Sequence, residues 1–138
     1  MAERTLAIIK PDAVGRRLAG RIIQRIEQEG FVIRAVRHVH LSKREAEGFY
    51  AVHRDRGFFG ALTDFMSSGP AIVMVLEASN AIRKWRALMG ATNPANAEEG
   101  TLRREFGESL ERNATHGSDG EDTSAAEIGY FFAGIDLV

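Results

Sequence analysis

Apolar and polar positions divide the chain into short, recognisable elements. Thr5 to Ile9 is an apolar segment closed by Lys10-Pro11-Asp12, which predicts a buried strand stopped by proline. Leu18, Ile22, Ile23 and Ile26 then recur at spacings of four, one and three, one face of a helix, with Gly30 placed to cap its C-terminus. Phe31 to Leu41 mixes Val and Ile with Arg and His and predicts a half-exposed strand. Ser42-Lys43-Arg44-Glu45 has the form of a capping box, so a helix carrying Ala46, Phe49 and Tyr50 is expected after it. A second helical stretch runs through Leu62, Phe65 and Met66 to Gly69.

Pro70 opens Ala71–Leu76, an unbroken apolar run that predicts a central strand covered on both faces. Asn80 to Met89 reads as a helix with Ile82, Trp85, Leu88 and Met89 inward, and Thr101–Phe106 as a shorter one after the turn-rich Gly90–Gly100. Gly107–Asp122 has no period and predicts a loop, and Ser124-Ala125-Ala126-Glu127 begins a last helix that ends in Ile128–Phe132. The order β-α-β-α-α-β-α predicts an α+β fold: two β-α-β units sharing one antiparallel sheet, with helices on one side.

Length and composition narrow the class. At 138 residues the chain is the size of one domain, and no repeat or low-complexity linker divides it, so residues 1–138 are expected to form a single unit. With 44% hydrophobic and 27% charged residues it has the balance of a globular protein rather than a disordered one. Eighteen basic against nineteen acidic side chains give a net charge of −1, which argues against nucleic-acid binding as the main role. Cysteine is absent, which removes disulfides, thiolate nucleophiles and Cys-type zinc sites. No apolar run is long enough for a signal segment or a membrane span, and a soluble, cytoplasmic protein is expected.

Several familiar chemistries fail on inspection. Gly15-Arg16-Arg17-Leu18-Ala19-Gly20 has P-loop glycine spacing, but Arg21-Ile22 follows where lysine and a hydroxyl residue are required. His38 and His40 share a strand face without a third ligand nearby and read as solvent-facing, and His53 reads as a surface residue at a helix end. His116 stands apart, in Asn113-Ala114-Thr115-His116-Gly117-Ser118-Asp119-Gly120, among small and polar neighbours that leave its ring unobstructed. Imidazole is partly neutral at pH 7 and is a competent nucleophile if an acceptor holds one ring nitrogen. Ser118, Asp119 and Glu127 are all candidates for that role. Lys10, at the end of an apolar strand, and Arg86, Thr92 and Arg103, flanking the Gly90–Gly100 loop, supply the cations and donors that phosphoryl transfer needs.

These segments together resemble a nucleoside diphosphate kinase over essentially the whole chain. The resemblance is carried by Ile9-Lys10-Pro11-Asp12, Ser68-Gly69-Pro70 with Ala71–Leu76, Met89-Gly90-Ala91-Thr92-Asn93-Pro94, Gly100-Thr101-Leu102-Arg103 and Asn113-Ala114-Thr115-His116-Gly117-Ser118-Asp119. It implies a ferredoxin-like, four-stranded antiparallel sheet covered by helices, and a ping-pong reaction. His116 would take the terminal phosphate of a nucleoside triphosphate such as ATP and pass it to a nucleoside diphosphate.

By position, the resemblance implies that Glu127 accepts a hydrogen bond from the distal nitrogen of His116, with Ser118 assisting. Lys10 and Asn113 would reach the sugar, Lys10 also the phosphates. Arg86, Thr92 and Arg103 would hold the phosphates, and Tyr50 would place its hydroxyl near the transferring group. Phe58 would stack on the base, with Leu62 and Leu110 lining the slot, while Phe59 and Trp85 pack. Mg²⁺ would arrive on the nucleotide phosphates rather than in a protein cage, and the chain would assemble as a dimer-based tetramer or hexamer. Gly57 stands where the resemblance leads one to expect proline, and Gly120-Glu121-Asp122 is more acidic than expected. A nucleotide-holding module without turnover would be marked by loss of His116 or of Arg86 and Arg103, and none is lost.

Overall fold

The computed structural model describes residues 2–138. Its centre is the antiparallel pair β1 (Ala2–Ile9) and β3 (Ala71–Ser79), in register from Ala2 opposite Ser79 to Ile9 opposite Ile72. β2 (Val32–Val39) adds to the far side of β3, and β4 (Thr115–Gly117) to the far side of β1, giving the order β2-β3-β1-β4, all antiparallel.

The unbroken apolar runs in β1 and β3 follow from a sheet covered on both faces. Ala7, Ile9, Met74 and Leu76 point to one layer, made by α2 (Ala19–Gln28), α5 (Ala81–Met89) and α6 (Leu102–Phe106). Leu6, Ile8, Val73 and Val75 point to the other, made by α3 (Lys43–Phe49), α4 (Phe59–Met66) and α7 (Glu121–Phe131). The single-sided arrangement expected from the element order is therefore corrected: helices lie on both faces. Each large strand side chain fully withdrawn from water contributes ~1.5–3 kcal/mol, so strands and layers hold each other.

Local signals behave as their chemistry dictates. The Ser42 hydroxyl accepts from the Glu45 N–H (3.0 Å) while the Glu45 carboxylate accepts from the Ser42 N–H (2.8 Å), a complete capping box at α3. Gly30 ends α2 at φ +90°, a conformation glycine takes without steric cost. Pro11 stops β1 as expected, but it also serves as the first residue of α1 (Pro11–Gly15), where its missing N–H costs nothing. Two boundaries in the predicted Gly107–Asp122 loop are corrected. Thr115–Gly117 pairs with β1 as β4, and α7 begins at Glu121 rather than at Ser124. A three-residue strand is too short for a period, and α7 starts in acidic residues that carry no apolar signal.

Candidate active site

β4 sets His116 directly opposite Ile8 of β1, one strand-width from the end of β1 where Lys10 emerges. Trp85, fully buried in α5, donates its indole N–H to the His116 carbonyl (3.1 Å). A Cβ at Gly117 would run into Trp85 and Met89, so only glycine lets β4 lie this close to α5. The histidine is thus placed by the sheet and the core rather than by a mobile loop.

Its ring is oriented by α7. His116 Nε2 lies 3.0 Å from Glu127 Oε1, and the Ser118 hydroxyl donates to the same oxygen at 2.8 Å. An ionised carboxylate only accepts, so this contact puts the ring proton on Nε2 and leaves Nδ1 as the nitrogen with a free lone pair. Of the three orienting candidates, Asp119 does something else: its carboxylate receives Arg86 Nη1 at 2.6 Å. The Phe49 and Tyr50 rings stand edge-on to the imidazole, with centroids 5.4 and 6.0 Å away. The Tyr50 hydroxyl is buried without a partner among the described residues, and burial, then the charge of Glu127, push its ionisation far up.

A cluster of cations and donors gathers beside the histidine. Lys10 is buried; its ammonium donates to Asn113 Oδ1 (2.8 Å) and its backbone N–H to the Ala114 carbonyl (2.8 Å). Burial pulls the Lys10 ammonium down to about 8, and Arg103 adds to this while Asp12 opposes it. Asn113 in turn donates to the Thr92 carbonyl (3.0 Å). Arg103 is also buried, donating to the carbonyls of Gly90 and Thr115 (both 3.0 Å); burial, then Arg86, lower it to about 10, and it stays charged at neutral pH.

These groups share one cleft of about 510 Å³, within the usual range for small-molecule sites. Its lining combines the polar Lys10, Tyr50, Arg86, Thr92, Arg103, Asn113 and His116 with the apolar Phe58, Leu62, Phe65 and Leu110. Phe58 and Leu110 are 45% and 57% exposed, so both keep free apolar surface at the opening. Phe59, the neighbouring ring, packs into the sheet core instead, and Trp85 packs as expected. Ser118 and Glu127 stand behind His116 and do not line the cleft.

Three features escaped the sequence reading. His53 is not a plain surface residue: it lines the cleft, its ring 5.6 Å from that of Phe58. Glu111 also lines the cleft, beside Leu110. Asp12 is buried beneath it, its carboxylate bound to the Ala114 N–H. Asp12 follows Lys10-Pro11 in the sequence, which hints at importance but not at burial. His38 and His40 are exposed as expected, and no group of three metal-ligating side chains occurs among the described residues.

A nucleotide-sized cleft with an oriented histidine and converging cations defines the class, an enzyme acting on phosphorylated substrates. Comparison with known proteins agrees. Residues 3–137 match the family model described as nucleoside diphosphate kinase. Curated nucleoside diphosphate kinases from Pelobacter propionicus and Desulfovibrio desulfuricans are 62% and 58% identical to this chain, each alignment covering 99% of both proteins. Among solved structures, the Aquifex aeolicus nucleoside diphosphate kinase superposes with a TM-score of 0.98 at 40% identity, covering all of both chains. The Halobacterium salinarum enzyme, solved in complex with CDP, gives 0.95 at 40% identity, covering all of this chain and 92% of that one. The chain belongs to the nucleoside diphosphate kinase family. It is a nucleotide-binding phosphotransferase that moves the terminal phosphate of a nucleoside triphosphate to a nucleoside diphosphate, the family's reaction passing through a phosphohistidine.

Proposed function

We propose that His116 is the residue phosphorylated, attacking through Nδ1. The observation that supports this most is the Nε2–Glu127 contact at 3.0 Å on a histidine that shares the cleft with Lys10, Arg86 and Arg103. In the first half-reaction Nδ1 forms a bond to the terminal phosphorus while the bond to the bridging oxygen breaks, and the diphosphate leaves. A second nucleoside diphosphate then attacks the phosphohistidine and leaves as triphosphate. Glu127 and Ser118 keep the imidazole aimed in both directions, and the Nε2–H stabilises the cationic phosphoimidazole by its bond to the carboxylate.

Lys10, Arg86, Thr92 and Arg103 hold the phosphates and offset the charge on the phosphoryl oxygens as the bonds change. Lys10 and Asn113 reach the sugar hydroxyls, and the Tyr50 hydroxyl, which has no partner among the described residues, turns to the transferring group. Phe58 stacks on the base, with Leu62 and Leu110 closing the slot. A π-face is blind to base identity, so one cleft serves many nucleotides. Mg²⁺ would come with the nucleotide and would partly neutralise its phosphates, the charge that Lys10, Arg86 and Arg103 also face.

Residues 1–138 act as one domain, supported by two helical layers that share a single sheet. The chain assembles through a dimer into a tetramer or hexamer, and the support is β2, an edge strand with Val32 and Val36 half exposed. No helix among the described residues is long and apolar enough to cross a membrane, in keeping with a cytoplasmic enzyme.

The test uses γ-labelled ATP with Mg²⁺ and no acceptor. An acid-labile, alkali-stable phosphoprotein is expected, and unlabelled GDP or CDP should carry the label off as triphosphate. His116→Ala should bind nucleotide and take no label; retained labelling would remove the assignment.

A further inference from the structure

Two residues after Lys10, and bonded to the residue that follows Asn113, lies a carboxylate that the reaction chemistry leaves unused. Asp12, in the first turn of α1, has its side chain wholly withdrawn from solvent, yet forms no short ion pair among the described residues. The nearest cation is Arg16, with Nη2 3.9 Å from Oδ2, and Arg16 is also held by the Phe106 carbonyl and by Glu108. Asp12 Oδ2 accepts the Ala114 N–H at 3.0 Å, while Oδ1 has no partner among the described residues. Burying a carboxylate so sparsely paired is costly, and burial pushes this one up. A residue kept at such a cost calls for a reason.

The reason lies in what Ala114 has to do. Its φ is +72°, the left-handed region that a residue with a Cβ avoids. It is the middle of a three-residue turn in which the Thr115 N–H donates back to the Asn113 carbonyl at 2.8 Å. That turn reverses the chain between Asn113, whose amide meets Lys10 and Thr92, and β4, which carries His116. The Ala114 carbonyl accepts the Lys10 N–H, so both polar groups of this one peptide residue are fixed from the Lys10–Asp12 segment.

We propose that Asp12 is a positioning residue: its buried carboxylate holds Ala114 in the left-handed turn and so locks Lys10, Asn113 and His116 into one frame. An ionised acceptor is suited to this, since a charge-assisted bond is about twice as strong as a neutral one and outweighs a backbone preference. Asp12 touches neither phosphate nor base in this scheme; it acts only through the peptide it holds. The inference rests on the assignment of His116, and the experiment separates the two.

The measurement is the single-turnover rate of His116 phosphorylation at saturating ATP, together with nucleotide affinity and melting temperature, for the parent, Asp12→Ala and Asp12→Asn. Loss of the acceptor in Asp12→Ala should slow the first turnover ~10–100-fold, the scale of a small misplacement of reacting groups, while affinity changes far less. Asp12→Asn keeps an acceptor oxygen at the same reach and should recover most of that loss, to within ~3-fold of the parent, the deficit reflecting the weaker neutral bond. In that same variant the Ala114 amide should remain protected from hydrogen exchange, which keeps the test decisive if Asp12→Ala does not fold. Label on a residue other than His116 in the parent overturns both readings. Label on His116 at an unchanged rate in Asp12→Ala, equal losses in both variants, or an Ala114 amide that exchanges freely in an active Asp12→Asn enzyme overturns this one alone.

Discussion

The two sets of residues that line the cleft are built in opposite ways. Of those proposed to serve the phosphates, Lys10, Arg103 and Asn113 are buried, and His116 is tied through Nε2 to Glu127. Phe58 and Leu110, proposed to face the base, are about half exposed; the Phe58 ring lies 5.6 Å from that of His53, and Leu110 sits in the loop before β4. Bond-making at phosphorus tolerates little displacement, and the residues proposed to carry it are set by the sheet and a closed hydrogen-bond frame. A base needs only a flat apolar surface, which in the proposed role the start of α4 and the loop before β4 would supply.

Breaking the aim of the imidazole should have the largest effect. Glu127→Ala removes the acceptor from Nε2 and from Ser118, and should slow phosphorylation of His116 by ~10²-fold in quench-flow, without abolishing it. A parent-like rate would mean that the tautomer is set elsewhere. Substitution in the other set should read differently. Phe58→Ala should weaken kcat/KM for purine and pyrimidine nucleotides alike by ~10-fold or more, in KM rather than kcat, from loss of one stacking contact. A selective loss for one base would show that the slot reads base edges.

Acidity sharpens the same contrast. In its proposed role Lys10 serves the phosphates as a cation, and burial brings its ammonium down to about 8, so nucleotide kcat/KM should fall severalfold as pH rises from 7 to 9. Bound phosphates favour the ammonium, so kcat should fall at higher pH than kcat/KM, and Lys10→Gln should remove this limb. The sign for folding is opposite. Between pH 8 and the ordinary lysine value of 10.5 the unfolded chain binds more protons than the folded one, so the Lys10 contribution to stability rises with pH across that window. The smallest effect belongs to the entry of α4. Gly57 has open space around a would-be Cβ, and Gly57→Pro should raise stability by ~0.4–1 kcal/mol in thermal melts with transfer kinetics unaltered.

Much of this molecule is legible from sequence because its signals are local. The Ser42–Glu45 capping box, the Gly30 terminus and the α2 and α5 faces depend on residues within a few positions of one another. The apolar runs of β1 and β3 likewise announce buried strands. The candidate site was legible in its parts: His116, Lys10 and Arg103 stand in segments whose residue types suggest phosphate chemistry, and the cleft brings them together.

Pairing across sequence distance decided the rest. A three-residue strand such as β4 exists only because β1 offers it an open edge, so no period within 107–122 could reveal it. Helices on both faces of the sheet depend on how crossovers pack, and the element order is compatible with either arrangement. The choice of Glu127 over Asp119 as the partner of His116 required α7 to bring its carboxylate to 3.0 Å while Arg86 drew Asp119 away. Alanine has no preference for φ +72°, and nothing in the sequence around Ala114 marks it; the conformation is imposed by Asp12 and Lys10, more than a hundred residues earlier. Residue types limited which chemistry this chain can do, and long-range hydrogen bonds and packing determined which side chains perform it, because orientation is a property of contacts that the order of residues does not contain.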